Sequence, residues 1–162
     1  MSGYRRQVSR ALDEEHRATL DLLDRVERAF AKAGRAHDAE LAKLIGAFGR
    51  HLEQELGRHF DFEERELFPR MTEAGDGDMA ELFLEEHNAI HAVASELLPL
   101  GRSATSDTLD QAGWDALKRG ALEMTERLRA HIHKETMGLL PLVDDLLDEE
   151  TDRDLAFAYA TG

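Results

Sequence analysis

Apolar residues recur every three to four positions along most of the chain, which is the period of an amphipathic helix. The pattern predicts four long helices, at about 9–32, 38–71, 78–99 and 108–137. Gly75-Asp76-Gly77 predicts a turn, and the polar stretch 101–108 predicts a loop. Gly138 and Pro141 predict the end of the fourth helix, and residues 142–147 predict a short fifth helix with a frayed tail after Glu150.

Three residues are candidates to cap these helices: Asp38 for the second, Asp78 for the third and Thr108 for the fourth. Short connections between long amphipathic helices are typical of bundles. We therefore predict an all-α fold, an up-down-up-down antiparallel four-helix bundle with a short C-terminal fifth helix. No linker divides the chain, so 1–162 is expected to form one domain.

Two motifs occur twice in the chain. His59-Phe-Asp-Phe-Glu63 recurs as His131-Ile-His-Lys-Glu135, and Glu14-Glu15-His16 recurs as Glu85-Glu86-His87. The offsets are 72 and 71 residues. The repetition predicts two helical hairpins, about 1–75 and 76–150, related by an approximate twofold axis.

Composition narrows the possible functions. The net charge of −14 disfavours binding to nucleic acids and anionic membranes. The absence of cysteine excludes disulfides, thiolate catalysis and cysteine-ligated metals. No apolar run approaches the ~20 residues of a membrane helix, and the N-terminus lacks the apolar core of a signal peptide. A cytoplasmic location is therefore expected.

Eight histidines are the unusual part of the composition. Residues four apart share a helix face, which pairs His59 with Glu63, His87 with His91, and His131 with Glu135. With His16 added, the predicted metal ligands are His16, His59, Glu63, His87, His91, His131 and Glu135.

Imidazole with carboxylate suits iron, manganese or zinc, and a bundle core is a common place for such a site. Two bridging glutamates would leave five imidazoles for two metals, so one metal would be a ligand short. The residue that repeats the position of His91 is Leu20, and we expect Leu20 to face that open position. The level of His91 relative to His131 fits least well, since the two lie at different distances from the polar loop 101–108.

Other residues have simpler expected roles. His133 is expected to be solvated and His37 to lie in a turn. Glu15 and Glu86 are expected to face solvent, with the alternative that each accepts a hydrogen bond from the outer side of a ligand. His51 with Glu55 is either a surface pair or a support for His59. The aromatic residues are expected in the core, with one or two drying the metal pocket: Phe48, Phe60, Phe62, Phe68 and Trp114.

The set of motifs at 14–16, 59–69, 85–91 and 131–135 resembles the hemerythrin-like, or HHE cation-binding, family. The resemblance implies two irons joined by an oxo or hydroxo bridge and by Glu63 and Glu135. It also implies that one iron is bound by three imidazoles and the other by two: His87, His91 and His131 for the first, His16 and His59 for the second. A ferritin-like site is excluded, because no histidine follows a glutamate by three residues.

The marine oxygen carriers of this family have an aspartate five residues after the histidine that corresponds to His131, whereas this chain has Glu135 at plus four. That difference is similar to the bacterial branch and disfavours pure oxygen storage. The expected function is binding of dioxygen or a related ligand, such as nitric oxide or peroxide, in sensing, storage or a stress response. The alternatives are a di-iron enzyme and an iron-sensing regulatory module. Enzymatic turnover is disfavoured because Tyr4 and Tyr159, the only tyrosines, lie near the termini and suggest no proton relay.

Overall fold

The computed structural model describes residues 3–32 and 39–162, and the described residues form helices and their connections without a strand. The predicted all-α class is confirmed, and the up-down-up-down bundle stays a prediction. In chain order the elements are α1 (Gln7–Lys32), α2 (Ala39–Arg50), π1 (His51–Glu55), α3 (Leu56–Phe62), π2 (Glu63–Leu67), α4 (Phe68–Glu73), α5 (Gly77–Thr105), α6 (Gln111–Leu146) and α7 (Glu149–Thr161).

The described residues fall into two compact units. The first is made of those within Met1–Thr19, Arg58–His87 and Ala130–Gly162, and the second of those within Leu20–Gly57 and Asn88–Arg129. The units do not coincide with the predicted hairpins 1–75 and 76–150, because each unit draws on both halves of the chain. The single-domain assignment of 1–162 stays a prediction.

Two predicted helix ends at prolines are wrong. Helix α5 continues past Pro99 to Thr105, and α6 continues past Pro141 to Leu146. A proline removes one backbone hydrogen bond and strains the turn before it. Around Pro141 the side chains of Leu139, Leu140 and Val143 are buried, and this packing keeps the helix intact.

The C-terminal part also differs from its prediction. The stretch predicted as a short fifth helix, 142–147, is the end of α6, and the residues after Glu150 form most of α7 instead of a frayed tail. Helix α7 has a local cap, since the Asp148 side chain accepts the backbone N–H of Thr151.

The predicted cap of the fourth helix is displaced by two residues. Asp110, not Thr108, accepts the backbone N–H of Gly113 in the first turn of α6, at 2.8 Å. Asp78 lies inside the first turn of α5. The third candidate cap, Asp38, lies outside the described residues.

The second helix is confirmed in extent, but two π-helical segments interrupt it. Segment π2 begins at Glu63, and the backbone N–H of Phe68 bonds to the Glu63 carbonyl five residues before it. Such wide turns are frequent at functional sites. Pro69 follows π2, yet the equivalent Pro141 lies in a regular helix, so proline alone does not explain the wide turn.

Helix α1 starts two residues earlier than predicted because its cap is supplied from elsewhere in the chain. The backbone N–H groups at its start have no acceptor within the helix, and they donate to two buried carboxylates. Asp144 accepts from Arg5 and Arg6, and Asp152 accepts from Gln7 and Val8. Negative charge at a helix N-terminus is also favoured by the helix dipole.

The pKa of Asp144 reflects these contacts. Burial by itself would raise that pKa, but the backbone hydrogen bonds from Arg6 and Arg5 outweigh burial, and the pKa lies below its usual range.

The first unit has one continuous apolar core. Its members come from helices α1, α5, α6 and α7, from the 62–71 stretch and from the connection between α6 and α7: Val8, Leu12, Phe62, Leu67, Phe68, Met71, Ala80, Phe83, Leu139, Leu140, Val143, Leu147 and Tyr159. In the second unit, a Cβ at Gly120 would lie only 3.0 Å from the side chain of Leu97, so a residue without a side chain allows this close approach. The five aromatic residues expected in the core are all buried, which confirms that prediction.

No helix within the described ranges is long and apolar enough to cross a membrane.

We expect Asp152→Ala to lower the free energy of unfolding by about 1–2 kcal/mol, the usual cost of losing a cap and leaving buried N–H groups without an acceptor. Urea denaturation followed by circular dichroism would measure this change. Asp154→Ala is the matched control, because Asp154 lies on the same helix and is exposed. Equal stability of the two variants would show that Asp152 does not cap α1.

Candidate metal centre

Six of the seven predicted ligands are buried in the first unit. They come from five elements: His16 from α1, His59 from α3, Glu63 from π2, His87 from α5, and His131 with Glu135 from α6. Both glutamates and His87 have no exposed surface. Buried carboxylates are rare without a compensating positive group, because removing their charge from water is very costly.

The six residues form two groups of possible metal donors, and the donor atoms of each group lie within 4.8 Å of one another. One group contains His16 and His59, and the other contains His87 and His131. Both groups contain Glu63 and Glu135. The two carboxylates are therefore shared, whereas each pair of imidazoles belongs to one group.

The two carboxylate oxygens of Glu63 face different donor groups. Its Oε2 lies 3.3 Å from His59 Nε2, and its Oε1 lies 3.4 Å from His87 Nε2.

Glu135 divides its oxygens in the same way. Its Oε1 lies 3.0 Å from His16 Nε2, and its Oε2 lies 3.0 Å from His131 Nε2 and 3.4 Å from His87 Nε2. One oxygen on each side is the arrangement by which a carboxylate bridges two cations.

Several buried atoms that could ligate a metal have no hydrogen-bond partner among the described residues. They are Nε2 of His59, both carboxylate oxygens of Glu63, and Oε2 of Glu135. His87 Nε2 and His131 Nε2 also face each other at 3.1 Å. Buried polar atoms are nearly always paired, so this cluster of unpaired donors and facing lone pairs fits cations bound between them.

The outer nitrogens of the imidazoles fix the direction of the inner ones. The Nδ1 atoms of three histidines donate to carboxylates, at 3.0 Å for His59 to Glu15, 2.8 Å for His87 to Glu64, and 2.8 Å for His131 to Glu86. A proton on Nδ1 leaves the lone pair of a neutral imidazole on Nε2, directed at the donor groups. Metal-binding histidines are commonly oriented in this way.

The fourth imidazole has a weaker acceptor. His16 Nδ1 lies 3.5 Å from Thr136 Oγ1, and no carboxylate takes that place.

The outer carboxylates correct the sequence analysis. Glu15 and Glu86 are not simply solvated, because each supports a histidine on another helix, and Glu86 also pairs with Lys134. Each glutamate precedes a ligand and points about 100° away from it, which brings it to His59 or His131. Glu64 was not predicted at all; its only signal is its position directly after Glu63.

Aromatic side chains surround the group that contains His87. The Phe60 ring stacks on the His87 imidazole with centroids 3.7 Å apart, and Phe83 meets His131 edge to face at 5.9 Å. Phe68 lies 5.4 Å from His87. These rings keep water away from the donors, in agreement with the expected role of one or two phenylalanines.

Tyr159, near the C-terminus, also reaches this network. Its hydroxyl donates to Glu15 Oε1 at 2.5 Å, the oxygen that accepts from His59. Burial and the neighbouring charge of Glu15 raise the pKa of Tyr159, so the phenol keeps its proton. Tyr159 therefore belongs to the hydrogen-bond network of the centre although it lies near a terminus.

The other predicted residues lie elsewhere. His91 is exposed on α5 and belongs to neither donor group, and Leu20 is half-buried on α1. The extension of α5 to Thr105 explains why His91 does not lie level with His131. His87 lies 18 residues before the end of α5, and His131 lies 20 residues after the start of α6, so the two lie at similar distances from the connection between these helices. His87 is thus the α5 residue level with His131.

The remaining histidines mostly follow their expected roles. His133 is exposed, which confirms that expectation, and His51 is half-buried in π1. The support of His59 by His51 and Glu55 stays a prediction, and His37 lies outside the described residues.

The carboxylates alter the acidity of the imidazoles. Burial by itself would lower the pKa of His59, but the charge of Glu63 and the nearby Glu135 carboxylate outweigh burial and raise it well above its usual range. Against the same effect of burial, the carboxylates of Glu135 and Glu63, each with an oxygen 3.4 Å from Nε2, raise the pKa of His87 to about 9. Without metal, these shifts favour the protonated form of His59 and His87.

The same balance acts on the other members of the centre. Burial would lower the pKa of His131, but Glu135 raises it. Burial would raise the pKa of Glu135, but the charge of His131 lowers it well below its usual range. The centre thus holds ionised carboxylate and protonated imidazole until a metal displaces the protons.

We expect the metal-free protein to lose stability as the pH rises from about 6.5 to 9, because folding raises these histidine pKa values and the bound protons are then lost. Metal-loaded protein should not follow this trend, since metal replaces the protons. Melting temperature measured across this range with and without zinc would test it. His87→Gln should flatten the metal-free profile, and the exposed His133→Gln should not; identical profiles for both variants would contradict the assignment.

Comparison with known proteins identifies the family of the chain. The chain matches the hemerythrin HHE cation binding domain over residues 7–143. No curated protein matches the chain. The matched residues include all six buried donors and cover most of the chain, and the family binds metal cations, usually iron. The chain therefore belongs to the hemerythrin HHE cation-binding domain family and is a metal-binding protein.

Proposed function

We propose that this protein is a non-haem di-iron protein that binds dioxygen or a related small ligand, such as nitric oxide or peroxide. The observation that carries the proposal is the sharing of Glu63 and Glu135 between two pairs of imidazoles. A single metal would not need two carboxylates that each present one oxygen to either side. When bound, two irons would supply redox chemistry and an open coordination position for a small ligand.

Different residues of the chain would have different roles in binding two such metals. Glu63 and Glu135 would bridge the two cations and neutralise part of their charge. His16 and His59 would bind one, and His87 and His131 the other. Glu15, Glu64 and Glu86 would hold three of these imidazoles in the correct tautomer. Phe60 and Phe83 would exclude water, which protects a bound ligand from proton-dependent decay.

The fifth imidazole and the open position are a separate part of the proposal. If His91 joins His87 and His131, one metal has three imidazoles and the other has two. The metal bound by His16 and His59 would then have the open coordination position. Leu20, one turn after His16 on α1, would lie beside the small molecule bound there.

The first experiment is to load the protein with ferrous iron and to measure metal content and the optical spectrum before and after air. We expect two irons per chain and a visible band that persists in air and disappears under argon. Two irons without a reversible band would favour redox sensing or an enzyme. No iron would contradict the proposal.

We expect Glu63→Ala to lose both irons, because the residue contributes an oxygen to each donor group. Metal analysis after desalting would measure the loss. Glu66→Ala is the matched control, since Glu66 lies in the same π2 segment and pairs with Arg70. Retention of two irons by Glu63→Ala would remove Glu63 from the bridge.

We expect Leu20→His to fill the open position and to abolish azide binding to the diferric protein, measured by optical titration. His91→Ala should have the opposite effect and open a second position. If azide affinity is unchanged in both variants, neither residue lies at the centre, and each metal has two imidazoles.

A further inference from the structure

The C-terminal helix contributes to the metal centre although it lies outside the residues that match the family. The match ends at residue 143, whereas α7 covers Glu149–Thr161. From the last turn of α7, the Tyr159 hydroxyl donates to Glu15, and the same Glu15 oxygen accepts from His59 Nδ1. One carboxylate thus joins α7 to an imidazole of the centre.

Tyr159 is held in this position by several contacts. The side chain is buried, and its ring packs against Phe62 with centroids 4.5 Å apart. The Arg58 guanidinium lies 4.1 Å above the ring and donates to the Tyr159 carbonyl at 2.7 Å. Arg58 also lies 3.8 Å from Glu15. The direction of the phenol is therefore set by packing and charge, not only by one hydrogen bond.

The contact affects the two donor groups unequally. In the described part of the chain, the Nδ1 atoms of His87 and His131 both donate to carboxylates, whereas of His16 and His59 only His59 has an Nδ1 that does, to Glu15. Among the described residues, Glu15 is thus the only carboxylate that accepts from an Nδ1 atom in this donor group, and the Tyr159 hydroxyl bonds to it. Glu86, which repeats the position of Glu15, has Lys134 as its partner and no tyrosine.

We propose that Tyr159 is a positioning residue that couples docking of the last turns of α7 to binding of the metal held by His16 and His59. A metal on Nε2 fixes the His59 ring, which holds Glu15 in place as the acceptor for Tyr159. By thermodynamic linkage, α7 docking then strengthens metal binding by the same factor as metal strengthens docking. The inference rests on the two-metal centre proposed above, but not on iron or on dioxygen.

The coupling should be confined to the end of the helix. The start of α7 has its own anchors, since Asp148 caps it and Asp152 holds the backbone of α1. Tyr159 and Arg58 hold only the last turns. Metal should therefore change the stability of the backbone near Tyr159 and not that of the first turn.

Zinc is a suitable probe, because it binds imidazole and carboxylate without redox chemistry. Tyr159→Phe removes the hydroxyl and keeps the ring contacts. Tyr4→Phe is the matched control, because it also removes a phenol hydroxyl, which in Tyr4 donates to the backbone carbonyl of Thr136. The wild type and both variants would be loaded with zinc, and transfer to a chelator would be followed with time.

We expect one of the two zinc ions to dissociate from Tyr159→Phe on the order of ten-fold faster than from the wild type. Losing the hydrogen-bond partner of a metal ligand commonly costs about 10–100-fold, and the low end applies because Tyr159 acts on His59 through Glu15. The other ion should leave at the wild-type rate, and Tyr4→Phe should match the wild type. In ¹⁵N NMR spectra of the zinc-loaded protein, the Nδ1–H signal of His59 should shift and exchange faster. The corresponding signal of His131 should not change, since Glu86 does not contact Tyr159.

Hydrogen exchange tests the reverse direction. Zinc should slow amide exchange in residues 157–161 of the wild type and Tyr4→Phe, and this protection should be lost in Tyr159→Phe. The first turn of α7 should exchange alike in all three proteins.

The outcomes separate the two proposals. If the wild type binds fewer than two zinc ions, the two-metal centre is wrong. If it binds two and Tyr159→Phe matches the wild type in metal release and in the His59 signal, only the coupling is overturned. Should Tyr159→Phe fail to fold by circular dichroism, Arg58→Gln is the second variant. Faster release of one zinc would then support the coupling, and equal acceleration of both or no change would overturn it.

Discussion

Two carboxylates with no exposed surface, Glu63 and Glu135, are the constraint on which the rest of the centre depends. Burying such charge is very unfavourable unless cations or protons balance it. Four imidazoles surround the carboxylates, and in the metal-free protein the raised pKa values of His59 and His87 favour balancing protons on their inner nitrogens. The same inner nitrogens are the donors that a metal would take. The same Nε2 atoms therefore serve as proton-binding sites in the metal-free protein and as metal ligands in the metal-loaded protein.

The internal repeat explains how the chain builds a shared centre from two similar halves. Glu15 supports His59, and Glu86, its repeat, supports His131. The repeat is not complete, however. The position equivalent to Glu64, which supports His87, is Thr136, which lies 3.5 Å from His16. The two donor groups thus differ in the charge that surrounds their imidazoles, although their inner donors are alike.

Helix ends show the limits of local reasoning in this chain. The predicted stops at Pro99 and Pro141 are wrong because one lost hydrogen bond does not outweigh the burial of the surrounding turns. The start of α1 has no capping residue of its own, since its carboxylates come from Asp144 and Asp152, more than a hundred residues later. The local sequence determines the helical preference of each segment, and tertiary contacts determine the residues at which each helix begins and ends.

The sequence by itself determined the helical class and the family, and it predicted the six inner donors together with His91, which belongs to neither donor group. Helical spacing places His59 with Glu63 and His131 with Glu135 on common faces, and the repeated motifs mark His16 and His87. It did not determine which side chains hold the imidazoles from outside. Glu15, Glu64 and Tyr159 act on residues of other helices, and such contacts depend on the rotation and level of each helix. Only the tertiary structure sets these, because they follow from packing among distant segments and not from spacing within one.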